Sequence, residues 1–216
     1  MLKRMFALLC SSLPLIAHAG QEAQFWNWFV ANESALYRFT SPTDPVLDEL
    51  SSQLGQVHQD LTFELGPVMA GGKREFIISA GGLKEAFPAV KALHAAMPTL
   101  DQWEVIKFRP RRNPMNIITL GEHTFDPARI LCLLADDGEK IGVVLMHEDY
   151  EQDNIVFRQA SYLLLDEALG EYVVETDVGF INVHGREARW MSQAFPMTEL
   201  GAEFDHAQQQ RAPVGL

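Results

Sequence analysis

The stretch Ile130-Leu131-Cys132-Leu133-Leu134-Ala135-Asp136-Asp137-Gly138-Glu139-Lys140-Ile141-Gly142-Val143-Val144-Leu145-Met146-His147 places two apolar runs on either side of a polar, glycine-containing break. Runs of that length, bounded by Asp-Asp-Gly, read as a β-hairpin, because the break tolerates the tight turn and the flanks supply strand formers. A helix is expected next, from Asp153 to Leu169. Gly170 stands directly after its last apolar residue, where a left-handed cap costs glycine no steric clash. Glu171–Glu175 then reads as a strand, and Gly179–His184 as a further strand that pairs with it.

Upstream, the same order of elements recurs. Leu61–Leu65 and Arg74–Ala80 flank Gly71-Gly72 and read as a second hairpin. A helix over about Lys84–Met97 turns Phe87, Val90 and Leu93 inward. Trp103–Phe108 alternates as a strand, Arg109–Pro114 is a proline-bounded turn, and Asn116–Leu120 is a further strand. Ahead of these lie two helices. Residues 22–39 align Phe25, Trp28, Phe29, Asn32 and Leu36 on one face, widened by Trp26, Val30 and Tyr37. Asp44-Pro45 opens the second, an N-cap followed by proline at the first helical position, with Val46 or Leu47, Leu50, Leu54 and Val57 as its face. A last helix near Met197–Gln209 runs into a polar tail, Gln208–Leu216. The expected fold is α+β: mixed or antiparallel sheet with helices on one face, in two similar hairpin–helix–strand halves that share no residue-level repeat.

Of 216 residues, 47% are hydrophobic and 21% charged, which suits a globular chain and argues against disorder. The length suits one domain. Formal net charge is −12, from 17 Lys and Arg against 29 Asp and Glu. Such a surface repels phosphate backbones and anionic membranes, so no nucleic-acid partner is expected.

Residues 1–19 have the layout of a cleavable signal peptide. Lys3 and Arg4 precede a mostly apolar stretch from Met5 to Ala17, and Ala17-His18-Ala19 is a small-x-small cleavage site. The stretch is too short for a permanent span, which needs about 20 residues. Leu9 before Cys10 does not fit lipid attachment. Cleavage after Ala19 would leave a periplasmic or secreted domain over residues 20–216, with a net charge of −14 once Lys3 and Arg4 are lost from −12. Its one remaining thiol, Cys132 between Leu131 and Leu133, reads as a buried small hydrophobe.

No linear catalytic signature is present: HExxH, CxxC, the Walker loop and GxGxxG are all absent. Ser79-Ala80-Gly81-Gly82, between a strand and a helix, comes nearest to a nucleophile elbow. It has Ile77 where that motif needs glycine. Free N–H groups at such a junction can hold an anion, although a plain tight turn is the simpler reading. His147-Glu148-Asp149, with His184, is the densest set of ligand-type side chains. Adjacent strand residues point to opposite faces, so the three cannot converge on one ion, and no metal is expected. Glu64 and Glu75 on consecutive strands are a candidate carboxylate pair, with Arg74 a local partner. Lys107-Phe108-Arg109-Pro110-Arg111-Arg112 is the basic cluster; in extended chain Lys107, Arg109 and Arg111 share a face that suits a carboxylate or phosphate, or internal ion pairing. Trp26, Trp28, Asn32 and Glu33 on the first helix are either core or a partner-facing patch.

Phe25-Trp26-Asn27-Trp28-Phe29-Val30-Ala31-Asn32-Glu33 resembles the opening of a bacterial family that begins with an FWxWFxxNE-like helix. The likeness extends through Arg74–Ala80, Phe87–Val90, Trp103–Arg109 and Leu164-Leu165-Asp166 to Leu169-Gly170-Glu171-Tyr172. The family has no known activity, so the resemblance implies a shared fold and no catalytic role. The expected function is that of an exported, non-catalytic binding or interaction module for a protein or small molecule. Its candidate contacts are Trp26, Trp28, Glu33, Arg109 and Arg111, with no catalytic residue and no cofactor. The alternatives are a hydrolase-type enzyme with dispersed residues around Ser79 or His147 and Asp149, and an acidic inhibitor- or immunity-like partner of a basic protein.

Overall fold

The computed structural model describes residues 20–187 and 189–211; the expected export segment, 1–19, and the end of the polar tail, 212–216, lie outside the described residues. Two helices, α1 (Gln21–Arg38) and α2 (Pro45–Val57), lead into an antiparallel pair, β1 (Thr62–Val68) and β2 (Arg74–Ser79). Asp44 caps α2 by accepting the Val46 N–H at 3.2 Å, with Pro45 just inside, where no amide is missed. A 3-10 turn and α3 (Phe87–Ala95) carry the chain back so that β3 (Trp103–Lys107) lies parallel to β2. Phe76 and Ile78 of β2 join an aromatic core with α1. Phe29 stacks on Phe76 at 4.9 Å between ring centroids and meets Trp103 edge-on at 5.2 Å, favoured arrangements for ring quadrupoles.

After a small hairpin of β4 (Ile118–Leu120) and β5 (His123–Phe125), the second half repeats this order. β6 (Leu131–Asp137) and β7 (Lys140–His147) pair antiparallel with Asp136 opposite Ile141, as the apolar runs require. α4 (Ile155–Leu169) and α5 (Glu171–Asp177) then bring β8 (Val178–Gly185) parallel to β7. The sheet ends in β9 (Phe195–Pro196), order β8-β7-β6-β9, and α6 (Leu200–Arg211) closes the core. Val143 and Leu145 meet Phe157, Leu164 and Leu165 of α4 and Phe204 of α6. Gly142 lies under the Phe180 ring so closely that a Cβ there would stand 2.2 Å from a ring carbon. Each half is thus hairpin, helix, parallel return strand, in an α+β fold. Among the described residues, no helix is long and apolar enough to cross a membrane.

Glu171–Glu175 is not a strand. Gly170, at φ 83°, ends α4 and the chain at once begins α5, with Glu171 and Val174, three apart on one face, both buried. Tyr172-Val173-Val174 carries strand propensity, but tertiary burial of that face outweighs it. The strand at 178–185 pairs with β7 instead. β5, a three-residue element, carried no pattern long enough to read.

Candidate functional site

The two halves meet where Glu171 reaches across. Its carboxylate accepts the N–H groups of Ala80 at 2.9 Å, Gly82 at 3.2 Å and Arg109 at 3.0 Å, and the residue has no exposed surface. The Ala80 and Gly82 N–H groups of the strand–glycine–helix junction are therefore occupied from within by a side chain of the second half, and the Gly81 N–H by the Ser79 hydroxyl. Phe108 aims Arg109 at this point by taking a φ of 64°, a costly state for a bulky residue. Its ring is wedged against Phe87 at 4.6 Å and Tyr172 at 5.2 Å, which holds the turn in place.

Arg109 then bonds Glu64 through Nε and Asp166 through Nη1, the latter at 3.2 Å. Burial works against the Arg109 charge, but the Glu64 hydrogen bond and the charges of Glu64, Asp166 and Glu171 outweigh it and hold the guanidinium ionised. Asp166 fares differently. Burial dominates, Arg109 opposes it, and the Glu171 and Glu175 charges add to it, pushing the carboxyl up to about 7. Glu175 is also raised, first by burial and then by Glu171 and Glu85, against the pull of Lys84 and Lys140.

Asp166 and Glu175 line a hollow of about 510 Å³ together with Gly81, Arg109, Leu120, Tyr162 and Leu163. A smaller hollow of about 180 Å³ adjoins it through Arg109, Leu163 and Asp166 and reaches Glu64 and Glu167. The chemistry here is that of an apolar-walled cleft with more carboxylates than cations.

The other two arginines of the cluster serve internal pairing. Arg111 forms a two-pronged bond with Asp205, both contacts 2.8 Å, and Arg112 does the same with Glu75 at 2.7 and 3.1 Å. Glu64 and Glu75 thus face different arginines and are not a carboxylate pair. Trp26 is core: 3% exposed, its indole N–H donates to the Leu93 carbonyl at 2.8 Å. Trp28 and Glu33 are half-buried on α1, far in sequence from the seam, and Asn32 donates to the Trp28 carbonyl.

Ser79 has no exposed surface and its hydroxyl accepts the Gly81 N–H, so it presents no nucleophile. His147 is buried and bonds Ser161 at 2.8 Å. The Ser161 hydroxyl spends its proton on the Phe157 carbonyl, so His147 Nε2 is the donor and cannot act as base toward that serine. Burial lowers the His147 pKa to about 4 and keeps it neutral. Glu148 and Asp149 turn outward to Arg129. Cys132 is fully buried, and burial pushes its thiol up, away from reactivity. Among the described residues, no group of three ligand-type side chains converges on a metal position.

Asp166, Glu171 and Glu175 were not among the residues the sequence singled out. A signal existed: an acid inside Leu163-Leu164-Leu165-Asp166, where a helix buries nearly everything, has to find a partner. No protein-family model matches the chain, and no curated protein and no solved structure matches it either.

Proposed function

We propose that this chain is an exported, non-catalytic binding module that takes the cationic group of an otherwise apolar small molecule in the seam hollow. The observation that carries the reading is the hollow between the halves, where buried Asp166 and half-buried Glu175 face a space walled by Leu120, Leu163 and Tyr162. Among the described residues, Arg109 is the one cation on that lining and is already shared with Glu64. A cation entering there replaces the proton on Asp166, so affinity rises with pH. With the Asp166 pKa at about 7, the ionised fraction grows roughly tenfold between pH 6 and 8, and so does binding of a permanently charged group.

The test is an NMR titration with phenethylamine and its N-acetyl derivative at both pH values. The amine should bind more tightly at pH 8, shift the amides of Gly81, Leu163 and Asp166, and lose its effect in Asp166→Asn. Equal binding of the acetylated compound would remove this reading. Export is tested separately, by N-terminal sequencing of the protein from a periplasmic fraction, where the chain should begin at Gly20; a chain starting at Met1 and confined to the cytoplasm would sink that part.

A further inference from the structure

The seam hollow has a neighbour of opposite chemistry. Tyr162, 42% exposed, lines it and also lines a second hollow of about 360 Å³ over the N-terminal half of α4. This second space holds Arg158 of α4 and His184 of β8, with Asn154, Asn182 and Tyr150 around them. Arg158 is exposed and, among the described residues, makes no hydrogen bond, ion pair or ring contact. Asp153 lines the same hollow without pairing with it. By contrast Arg109, Arg111, Arg112, Arg129, Arg186 and Arg211 are each tied to a carboxylate. In a chain with 29 acids to 17 bases, an arginine left unpaired inside a concavity is out of pattern. Its planar fork of donors is suited to a carboxylate held in two places.

Tyr162 is common to the two hollows. Arg158, Tyr162 and Asp166 are successive fourth residues of α4, so they run along one side of the helix. Arg158 and Asp166 are eight residues apart, about 12 Å along the axis. An extended chain advances about 3.3–3.6 Å per residue, so three or four residues cover that distance. Ile181 and Val183 in one hollow and Leu120 and Leu163 in the other supply apolar wall on either side of Tyr162.

We propose that the two hollows form one channel for a short peptide with both termini free, its amino end at Asp166 and Glu175 and its carboxylate at Arg158 beside His184. The proposal rests on the seam hollow accepting a cation. A single amino acid is too short to reach both ends.

The test is calorimetric titration of the folded protein at pH 7.5 with tetra-alanine, its N-acetyl form and its C-terminal amide. Blocking either end should weaken binding tenfold or more. Arg158→Gln, a surface change checked by an unaltered unfolding midpoint, should leave the free peptide and the amide binding alike while the N-acetyl form stays weak. If the amide binds wild-type protein as well as the free peptide does, or Arg158→Gln leaves the discrimination intact, the channel is wrong and the seam reading stands. If phenethylamine binds and no peptide form does, the result is the same. If no amine of any kind binds, both readings fall.

Discussion

Replacing Glu171 should separate the two halves energetically more than any other single change at the seam. In Glu171→Ala the Ala80 N–H, in a residue with no exposed surface, is left without an acceptor. An orphaned buried donor costs about 1–3 kcal/mol. The Gly82 and Arg109 amides are only part-buried, so water restores much of what they lose, and we assign about 1 kcal/mol to each. The one lost buried methylene adds roughly 0.8 kcal/mol. Against this, removing the Glu171 charge relieves Asp166 and Glu175. The net loss should be about 3–5 kcal/mol by urea unfolding. Glu171→Gln keeps one oxygen for Ala80 and Gly82 but turns an amide toward the Arg109 N–H, so its loss should be smaller, about 1–3 kcal/mol. The two variants also share a readout that packing alone does not move. With the Glu171 charge gone, the Asp166 carboxyl, followed by carbon-detected NMR, should titrate below its wild-type value of about 7. If Glu171→Ala costs under 1 kcal/mol, no more than the exposed control Glu203→Ala, the clasp does not hold the seam. An Asp166 titration unmoved in Glu171→Gln would refute the electrostatic half of the argument.

The pH dependence of stability should show two opposed groups. His147 titrates near 4 when folded against 6.5 in its ordinary state, so its contribution is complete above pH 6.5 and is lost as pH falls toward 4, about 3 kcal/mol in all. His147→Gln should flatten that acid limb in urea unfolding at a series of pH values; an unchanged slope would contradict a buried neutral imidazole. Asp166 works the other way. Its carboxyl keeps a proton that the unfolded chain has already released, so stability is full below pH 3.8 and declines by about 4 kcal/mol as pH rises through 7. Asp166→Asn should therefore unfold with a weaker dependence on pH between 5 and 8, and a dependence equal to wild type would count against the raised carboxyl. Gly142→Ala places a methyl 2.2–2.7 Å from three Phe180 ring atoms, and should cost about 1–3 kcal/mol, measured by chemical denaturation. Pairing it with Phe180→Leu should recover part of the loss; additive losses would mean that the ring is not the obstacle.

Most elements, and the pairing within the two long hairpins, were legible in the chain because their signals are local; the parallel pairing of the return strands was not. The Asp44-Pro45 cap, the apolar runs around Asp136-Asp137-Gly138 and the stop at Gly170 each act within one turn or one hairpin. Aromatic spacing in residues 22–39 likewise predicts a helix with an apolar face. It does not say that Trp26 is inside and Val30, 47% exposed, is outside, because the width of the stripe depends on which elements come to rest against it. α5 departs from its local pattern for a related reason. Tyr172-Val173-Val174 favours a strand intrinsically, and only burial of Glu171 and Val174 on one face of the seam makes a helix of it.

What the sequence determined by itself was the inventory: two hairpin–helix–strand halves behind a pair of helices, an excess of acidic over basic residues, and no linear catalytic motif. The basic cluster at 107–112 was visible too, including internal ion pairing as one of its uses. What only the tertiary structure decided was where the acids meet. Glu171 and Ala80 are 91 positions apart, and Asp166 and Arg109 are 57 apart. No local pattern encodes such a pair, since a carboxylate on one helix reads the same whether it faces water or a partner's backbone amides. The seam, its raised carboxyl and the hollow beside it come from the docking of two units, each of which buries its own apolar face by its own local rules.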